Sequence, residues 1–238
     1  MNSNLYLITG GVHGDESSGI KVVKHLKGHQ LSGIDSILCN KKSIKKNIRF
    51  CETDLNRSFS VKLPASYEEV LATKLKKVVS KYQYVIDIHN TRARNTTCAI
   101  VVNKPTKWQL QMCRHFRFDR LVIMPPSGSL ISQCKNGISL EIAENHKSRY
   151  SRSFLVKKIR NIHKPIIDKH DICLFEYAAY ILKKTLMRKK MKLSDFKNFV
   201  FLSLYQKKHL GLLMNKEYCP IFTKKNNVTD GGFTLIQK

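Results

Sequence analysis

Residues 7–20 read LITGGVHGDESSGI, and this stretch decides how the chain folds. An apolar run, LYLIT at 5–9, stops at Gly10-Gly11. His13, Asp15 and Glu16 follow within four positions, and Ile20, Val22, Val23 and Leu26 then recur near helical spacing. The pattern predicts a short buried strand, a tight turn and an amphipathic helix over 17–27, with Ser17 or Asp15 as its cap. Strand, turn and helix in that order open an α/β unit. They also set the polar residues of the turn at a strand's carboxyl end, where open α/β sheets collect their ligands.

The same alternation continues outward. IDSILC (34–39) reads as a second strand. SYEEVLATKLKKVVSKY (66–82) is an amphipathic helix whose Ser66 and Glu69 form a capping box. YVIDIH (84–89), TCAIVVN (97–103), LVIM (121–124) and ISLEIA (138–143) read as further strands, the last with a polar Glu141 in an apolar setting. Helices are expected around 152–163 and 168–187. Beyond residue 190 the segments FVFLSLY and HLGLLM, split by QKK, suggest a hairpin, and CPIF and FTLIQ add short strands. The fold expected is α/β: a mixed, mostly parallel sheet flanked by helices over 1–190, with a small, mostly β appendage over 191–238. No internal repeat and no low-complexity linker interrupts it.

The 238 residues are 42% hydrophobic, enough for one substantial core with a small appended unit. No apolar run reaches the ~18 residues of a membrane span, and MNSNLYLITGG lacks the basic and longer apolar segments of a secretory signal. A cytoplasmic protein with no membrane partner is the expectation. The seven cysteines are scattered and never spaced CxxC, which argues against a disulfide framework and a zinc knuckle alike. Lys plus Arg number 43 against 17 Asp plus Glu, a net charge of +26. Such a field attracts anions, including nucleic acid. However, the basic clusters KKSIKK (41–46) and KKTLMRKKMK (183–192) carry no interleaved aromatics for base stacking, so nucleic acid is not the favoured partner.

Hydrolytic zinc sites use three protein ligands and keep a position for water. His13 and Glu16 offer two ligands from one turn, and His89 closes a later buried strand at a matching end. An HxxE pair alone is weak; HxxE after a Gly-Gly strand end, together with a strand-ending histidine, is more specific.

GGVHGDESSG, TDLNRSF, DIHNT and GISLEIA, in that order, resemble the aspartoacylase and succinylglutamate desuccinylase family, whose catalytic domain is similar to zinc carboxypeptidases. The resemblance covers roughly residues 5–145, and DIHNT is closer to the aspartoacylase branch. It implies one Zn2+ held by His13, Glu16 and His89, with Glu141 as catalytic acid and base. It further implies that Arg49 polarises the substrate carbonyl and that Asn56, Arg57 and Asn90 bind substrate, a small anionic N-acyl amino acid. The chemistry agrees: amide hydrolysis needs an activated water, a proton carrier and an oxyanion partner. Arginine also grips a carboxylate with a fork that lysine lacks. Asp54 reads as a residue that supports a ligand rather than one itself. Trp108 reads as packing.

Two features depart from the family. Aspartoacylases carry another arginine about ten residues before the catalytic glutamate, where this chain reads SGSLISQCKNG with Lys135 as its only cation. They also bring a tyrosine from the C-terminal domain into the pocket, where KKNNVTDGG has none; Tyr205 and Tyr218 are the stand-ins considered. The catalytic set is complete while the specificity set is altered, which disfavours N-acetylaspartate itself. A carboxypeptidase-like metallopeptidase, or a basic nucleic-acid-binding protein with a vestigial site, are the alternative readings.

Overall fold

The computed structural model describes residues 5–164, 171–182, 203–210, 212–213, 216–221 and 232–237. Its elements are β1 (Tyr6–Gly10), α1 (Ser17–Lys27), β2 (Ile34–Leu38), α2 (Lys41–Lys46), α3 (Tyr67–Val79), β3 (Tyr84–Thr91), β4 (Cys98–Val102) and α4 (Lys107–His115). There follow β5 (Arg120–Met124), β6 (Gly137–Ala143), α5 (Arg152–Arg160), β7 (Cys173–Leu182), α6 (Leu204–Leu210), β8 (Tyr218–Ile221) and β9 (Gly232–Gln237). All strands join one nine-stranded sheet in the order β2-β1-β3-β6-β4-β5-β7-β9-β8. β2, β1, β3 and β6 run parallel; β4 turns antiparallel to β6, and β5 and β7 follow β4. The mixed, mostly parallel α/β architecture is therefore the one expected. The end strands β8 and β9 hydrogen-bond into this same sheet through β7.

Each face of the sheet is covered. On one, Ile8, Ile86, Ile88, Ile138, Leu140 and Ile142 pack with Val22, Val23 and Leu26 of α1, Met112 of α4, and Leu155, Val156 and Ile159 of α5. On the other, Leu7 and Val85 meet Ala72, Leu75 and Val79 of α3 with Leu55, Phe59 and Leu130. Successive strand residues alternate between these faces, so Thr9, Asp87, His89, Ser139 and Glu141 all fall on the α3 side. Trp108 packs as expected, stacking on Tyr84 with centroids 4.5 Å apart.

One cap behaves as read and one does not. Ser66 and Glu69 close both arms of the capping box of α3. The N-cap of α1 is Glu16, with no side-chain cap bond of its own, rather than Ser17 or Asp15. Asn90 caps the helix from outside, its Oδ1 accepting from the Ser18 amide at 2.7 Å. That leaves the Glu16 carboxylate for other work.

The second half of the chain requires two corrections. The helix expected over 168–187 is a strand across Cys173–Leu182; the rest of that span lies outside the described residues. Pairing with β5 on one side and β9 on the other overrides the helical propensity of its Leu, Glu and Ala residues. The hairpin expected around QKK is instead the helix α6. No turn-former sits in QKK, and Ser203 and Gln206 form a capping box: the Gln206 amide donates to Ser203 Oγ at 3.2 Å, and the Ser203 amide to Gln206 Oε1 at 2.8 Å. The KKTLMRKKMK cluster, residues 199–202 and most of KKNNVTDGG lie outside the described residues. All seven cysteines are free thiols.

Candidate metal centre and active site

The sheet carries β1, β3 and β6 to one edge with their carboxyl ends together. The turn after β1 is shaped by Gly11, whose φ of +70° favours glycine, and by Gly14, where a Cβ would lie 2.2 Å from the Ser43 carbonyl carbon of α2. This close approach seats the turn against α2 and lets the Gly14 amide donate to the Arg49 carbonyl at 3.2 Å. His13 and Glu16 project from it. β3 delivers His89 at the next position along the edge, since Gly10 pairs with Ile88 in register.

His13, Glu16 and His89 are all buried, and each offers a ligand atom within 4.8 Å of the other two. His13 Nδ1 lies 2.7 Å from Glu16 Oε1, and His89 Nδ1 lies 2.8 Å from Glu16 Oε2. The opposite nitrogen of each ring is held by an aspartate: His13 Nε2 by Asp54 Oδ1 at 3.0 Å, His89 Nε2 by Asp87 Oδ2 at 2.7 Å. Asp87 is itself fixed by Thr9 Oγ1, which donates to its Oδ1 at 2.7 Å. The Asn90 amide donates to Glu16 Oε2 at 3.1 Å. Carboxylates that orient the far nitrogen of a histidine are characteristic of metal-ligating imidazoles.

Charge is concentrated here. Burial pulls the His13 imidazole down, but Asp54 and Glu16 outweigh it and leave its pKa above the ordinary value. Burial acts likewise on His89, and Asp87, Glu16 and Glu141 lift it well above. Burial pushes the Glu16 carboxyl up, yet His89 and His13 hold it well below the usual carboxylate range. Asp54 is held low in the same way, by His13 and Arg49 against the effect of burial. Four carboxylates thus surround two imidazoles, an environment that favours positive charge at its centre.

Glu141 stands beside this cluster, paired in register with His89 across β3 and β6. Its Oε1 accepts from Ser139 Oγ at 3.2 Å. Burial, with Glu16 and Asp87 nearby, raises its carboxyl above the ordinary value, against the pull of His89 and His13. A carboxylate of raised basicity next to a metal site suits proton transfer.

The other expected residues fall at varying remove. Arg49 donates to Asp54 Oδ2 through Nη2 at 3.1 Å, and its Nη1 lies 3.5 Å from Glu16 Oε1, so it is at the centre. Asn56 Oδ1 accepts from the Leu130 amide at 3.0 Å, and exposed Arg57 donates to the Asn56 carbonyl at 2.9 Å. The Asn90 side chain is turned into the scaffold, bonded to Ser18 and to the Ile142 carbonyl. Arg92 is exposed and pairs with Asp15 at 3.2 Å. Lys135 is exposed. Tyr218 is buried in β8, the outermost strand, five strand spacings from β6 and so roughly 24 Å away. It is no stand-in for a pocket tyrosine. Thr9, Asp87 and Ser139 carry the site without having been singled out in the sequence. The signal was there: Asp87 sits two residues before His89 in an apolar strand, and so shares its face.

A mixed α/β sheet thus carries a two-histidine, one-glutamate cluster at its strand ends with a glutamate beside it, a set of ligands able to hold a divalent metal. Residues 3–151 match the succinylglutamate desuccinylase/aspartoacylase catalytic domain, and the chain belongs to that family. The human N-acyl-aromatic-L-amino acid amidohydrolase (carboxylate-forming) is 25% identical over 191 residues, covering 68% of this chain and 59% of the relative, so the chain matches rather over half of that protein's length. Aspartoacylase of Xenopus tropicalis is 29% identical over 129 residues, 46% of this chain and 41% of the relative. Among solved structures, the succinylglutamate desuccinylase from Chromobacterium violaceum superposes with a TM-score of 0.72 at 17% identity, over 100% of this chain and 86% of that one. Murine aminoacylase 3 gives 0.62 at 21% identity, over 76% and 73%.

Proposed function

We propose that the chain is a zinc-dependent amidohydrolase that removes the acyl group from a small anionic N-acyl amino acid. The observation that carries this is the convergence of His13 Nδ1, His89 Nδ1 and the Glu16 carboxylate, with Asp54 and Asp87 holding the far nitrogens. Two nitrogens and a carboxylate at one point fit zinc, and His13, Glu16 and His89 are the residues that would hold it. Bound there, the ion supplies Lewis acidity beside the scissile carbonyl.

The chain's own groups do the rest. Glu141 takes a proton from the attacking water as its oxygen bonds to the carbonyl carbon, and returns it to the leaving nitrogen as the C–N bond breaks. The products are a carboxylate and a free amine. Arg49 donates toward the carbonyl oxygen as negative charge develops there. Arg57, exposed beside Asn56, receives the substrate carboxylate. Asn90 holds Glu16 through its backbone amide and caps α1 with its side chain. The relatives that act on N-acyl-aromatic amino acids, and the lack of arginine over 127–137, both favour a substrate without an acidic side chain.

A panel of N-acetyl and N-succinyl amino acids and short peptides, run with added zinc, tests this. Amine release from N-acyl amino acids is expected. Turnover of peptides alone would move the assignment to a carboxypeptidase-like enzyme, and no turnover by folded, metal-loaded protein would contradict both.

The described residues include no helix long and apolar enough to cross a membrane. We place the protein in the cytoplasm, and the catalytic unit within residues 1–190.

A further inference from the structure

Resting on the metal-site reading above, we propose that Glu68 is a positioning residue for that site. Its buried carboxylate fixes the 51–53 segment, which aims Asp54 at His13 and seats Arg49 beside Glu16.

Glu68 lies in the first turn of α3 and is fully buried, yet it makes no ion pair among the described residues. Its Oε1 accepts from the Cys51 amide at 2.7 Å and from Asn40 Nδ2 at 3.0 Å. Its Oε2 accepts from the Glu52 amide at 3.0 Å and the Thr53 amide at 3.2 Å. Three consecutive backbone N–H groups therefore converge on one carboxylate. Burial pushes its carboxyl up, and these bonds outweigh burial and leave it below the ordinary value. All four contacts require an acceptor, so only an ionised carboxylate satisfies them; an amide would turn its NH2 against two donors.

The segment so held lies between the two residues that support the cluster. Arg49 precedes it, Asp54 follows it, and they bond to each other through Nε and Nη2 at 3.3 and 3.1 Å. Asp54 Oδ1 then fixes His13 Nε2 at 3.0 Å. The second arm runs through Asn40. Its side chain caps α2 by accepting from the Ser43 amide at 3.1 Å, and its own amide donates to the Gly11 carbonyl at 2.9 Å. One carboxylate thus ties together α2, the glycine turn and the 51–53 segment, the pieces that surround His13. The segment has other ties to the start of α3: Thr53 Oγ1 to Ser66 Oγ at 2.8 Å, and the Tyr67 amide to Glu52 Oε2 at 2.7 Å. These hold Thr53 and Glu52 by their side chains and leave the three amides to Glu68.

The experiment measures zinc affinity of the metal-free full chain by competition with a chelator, alongside thermal unfolding. Glu68→Gln is expected to weaken zinc binding roughly 10- to 100-fold, the range for loss of a residue that supports a ligand. Glu69→Ala is the control. It breaks the capping box of the same helix, where Glu69 accepts from the Ala65 and Ser66 amides, but does not touch residues 51–53. That variant should lose thermal stability and keep wild-type zinc affinity. Wild-type affinity in folded Glu68→Gln overturns the inference, as does an equal loss in Glu69→Ala. Should Glu68→Gln not fold, Glu68→Asp decides. It keeps an acceptor one methylene too short, so weakened binding is expected, and wild-type affinity overturns the inference. A wild-type chain that takes up no zinc overturns the metal reading, and this inference with it. Binding by wild type alongside an unaffected Glu68→Gln overturns only the inference.

Discussion

In β3 the run Ile86, Asp87, Ile88, His89 alternates strictly, and the structure buries the isoleucines against α1 while the polar pair turns toward the site. In β7, at the other side of the sheet, Leu174, Tyr177, Ala178 and Ile181 fall at helical spacing, and the run is nonetheless a strand. There Leu174 and Tyr177 are 42% and 36% exposed, while Phe175, off that stripe, is 6% exposed. Strict alternation marks β3 as a strand, whereas in β7 the apolar residues fall at helical spacing and pairing with β5 and β9 overrides them. Strand partners are distant in sequence in both regions. The site corner adds a local glycine turn and an alternating strand that can be read directly, and β7 offers no such local signal.

Four substitutions break or sharpen this contrast. The largest effect should come from Glu141→Ala. Loss of the proton carrier should cost about 100- to 10,000-fold in kcat. Zinc content should be retained, and metal analysis with steady-state kinetics checks both. Unchanged turnover would remove Glu141 from the chemistry. In the C-terminal strands, Leu235 is fully buried, and Leu235→Ala should cost about 2–5 kcal/mol by denaturant unfolding while leaving zinc affinity of the folded protein unchanged. A fall in zinc affinity there would show that the two regions are coupled. Asp87→Asn should do the reverse: it should weaken zinc roughly 10- to 100-fold, read by chelator competition, with a smaller effect on unfolding. Smallest is Thr106→Ala at the capping box of α4, far from the metal cluster in sequence, which should lose about 1 kcal/mol by thermal unfolding and nothing in activity.

Much of the site was legible in the sequence because its parts sit on short, self-announcing units. The Gly-Gly turn fixes His13 and Glu16, and DIHN sets His89 near the carboxyl end of a strand. Family resemblance gave Glu141 its role, but the β3–β6 pairing that sets it beside His89 was not foreseen, since register between strands some fifty residues apart is not written in either. The second layer was less visible for a related reason. Thr9, Ser139 and Glu68 are ordinary residues by spacing, and only the folded chain shows which hydrogen-bond partners they meet. Asn90 illustrates the limit from the other side. It lies next to His89, yet its side chain is spent capping α1, because Glu16 occupies the cap position and is engaged by two histidines.

The proposed chemistry requires a single divalent ion at the point where His13, Glu16 and His89 meet. Metal analysis of the purified wild-type chain before and after zinc reconstitution is the decisive measurement. About one equivalent per chain is expected, lost in His89→Ala. Less than about half an equivalent, with no gain on reconstitution, would contradict it.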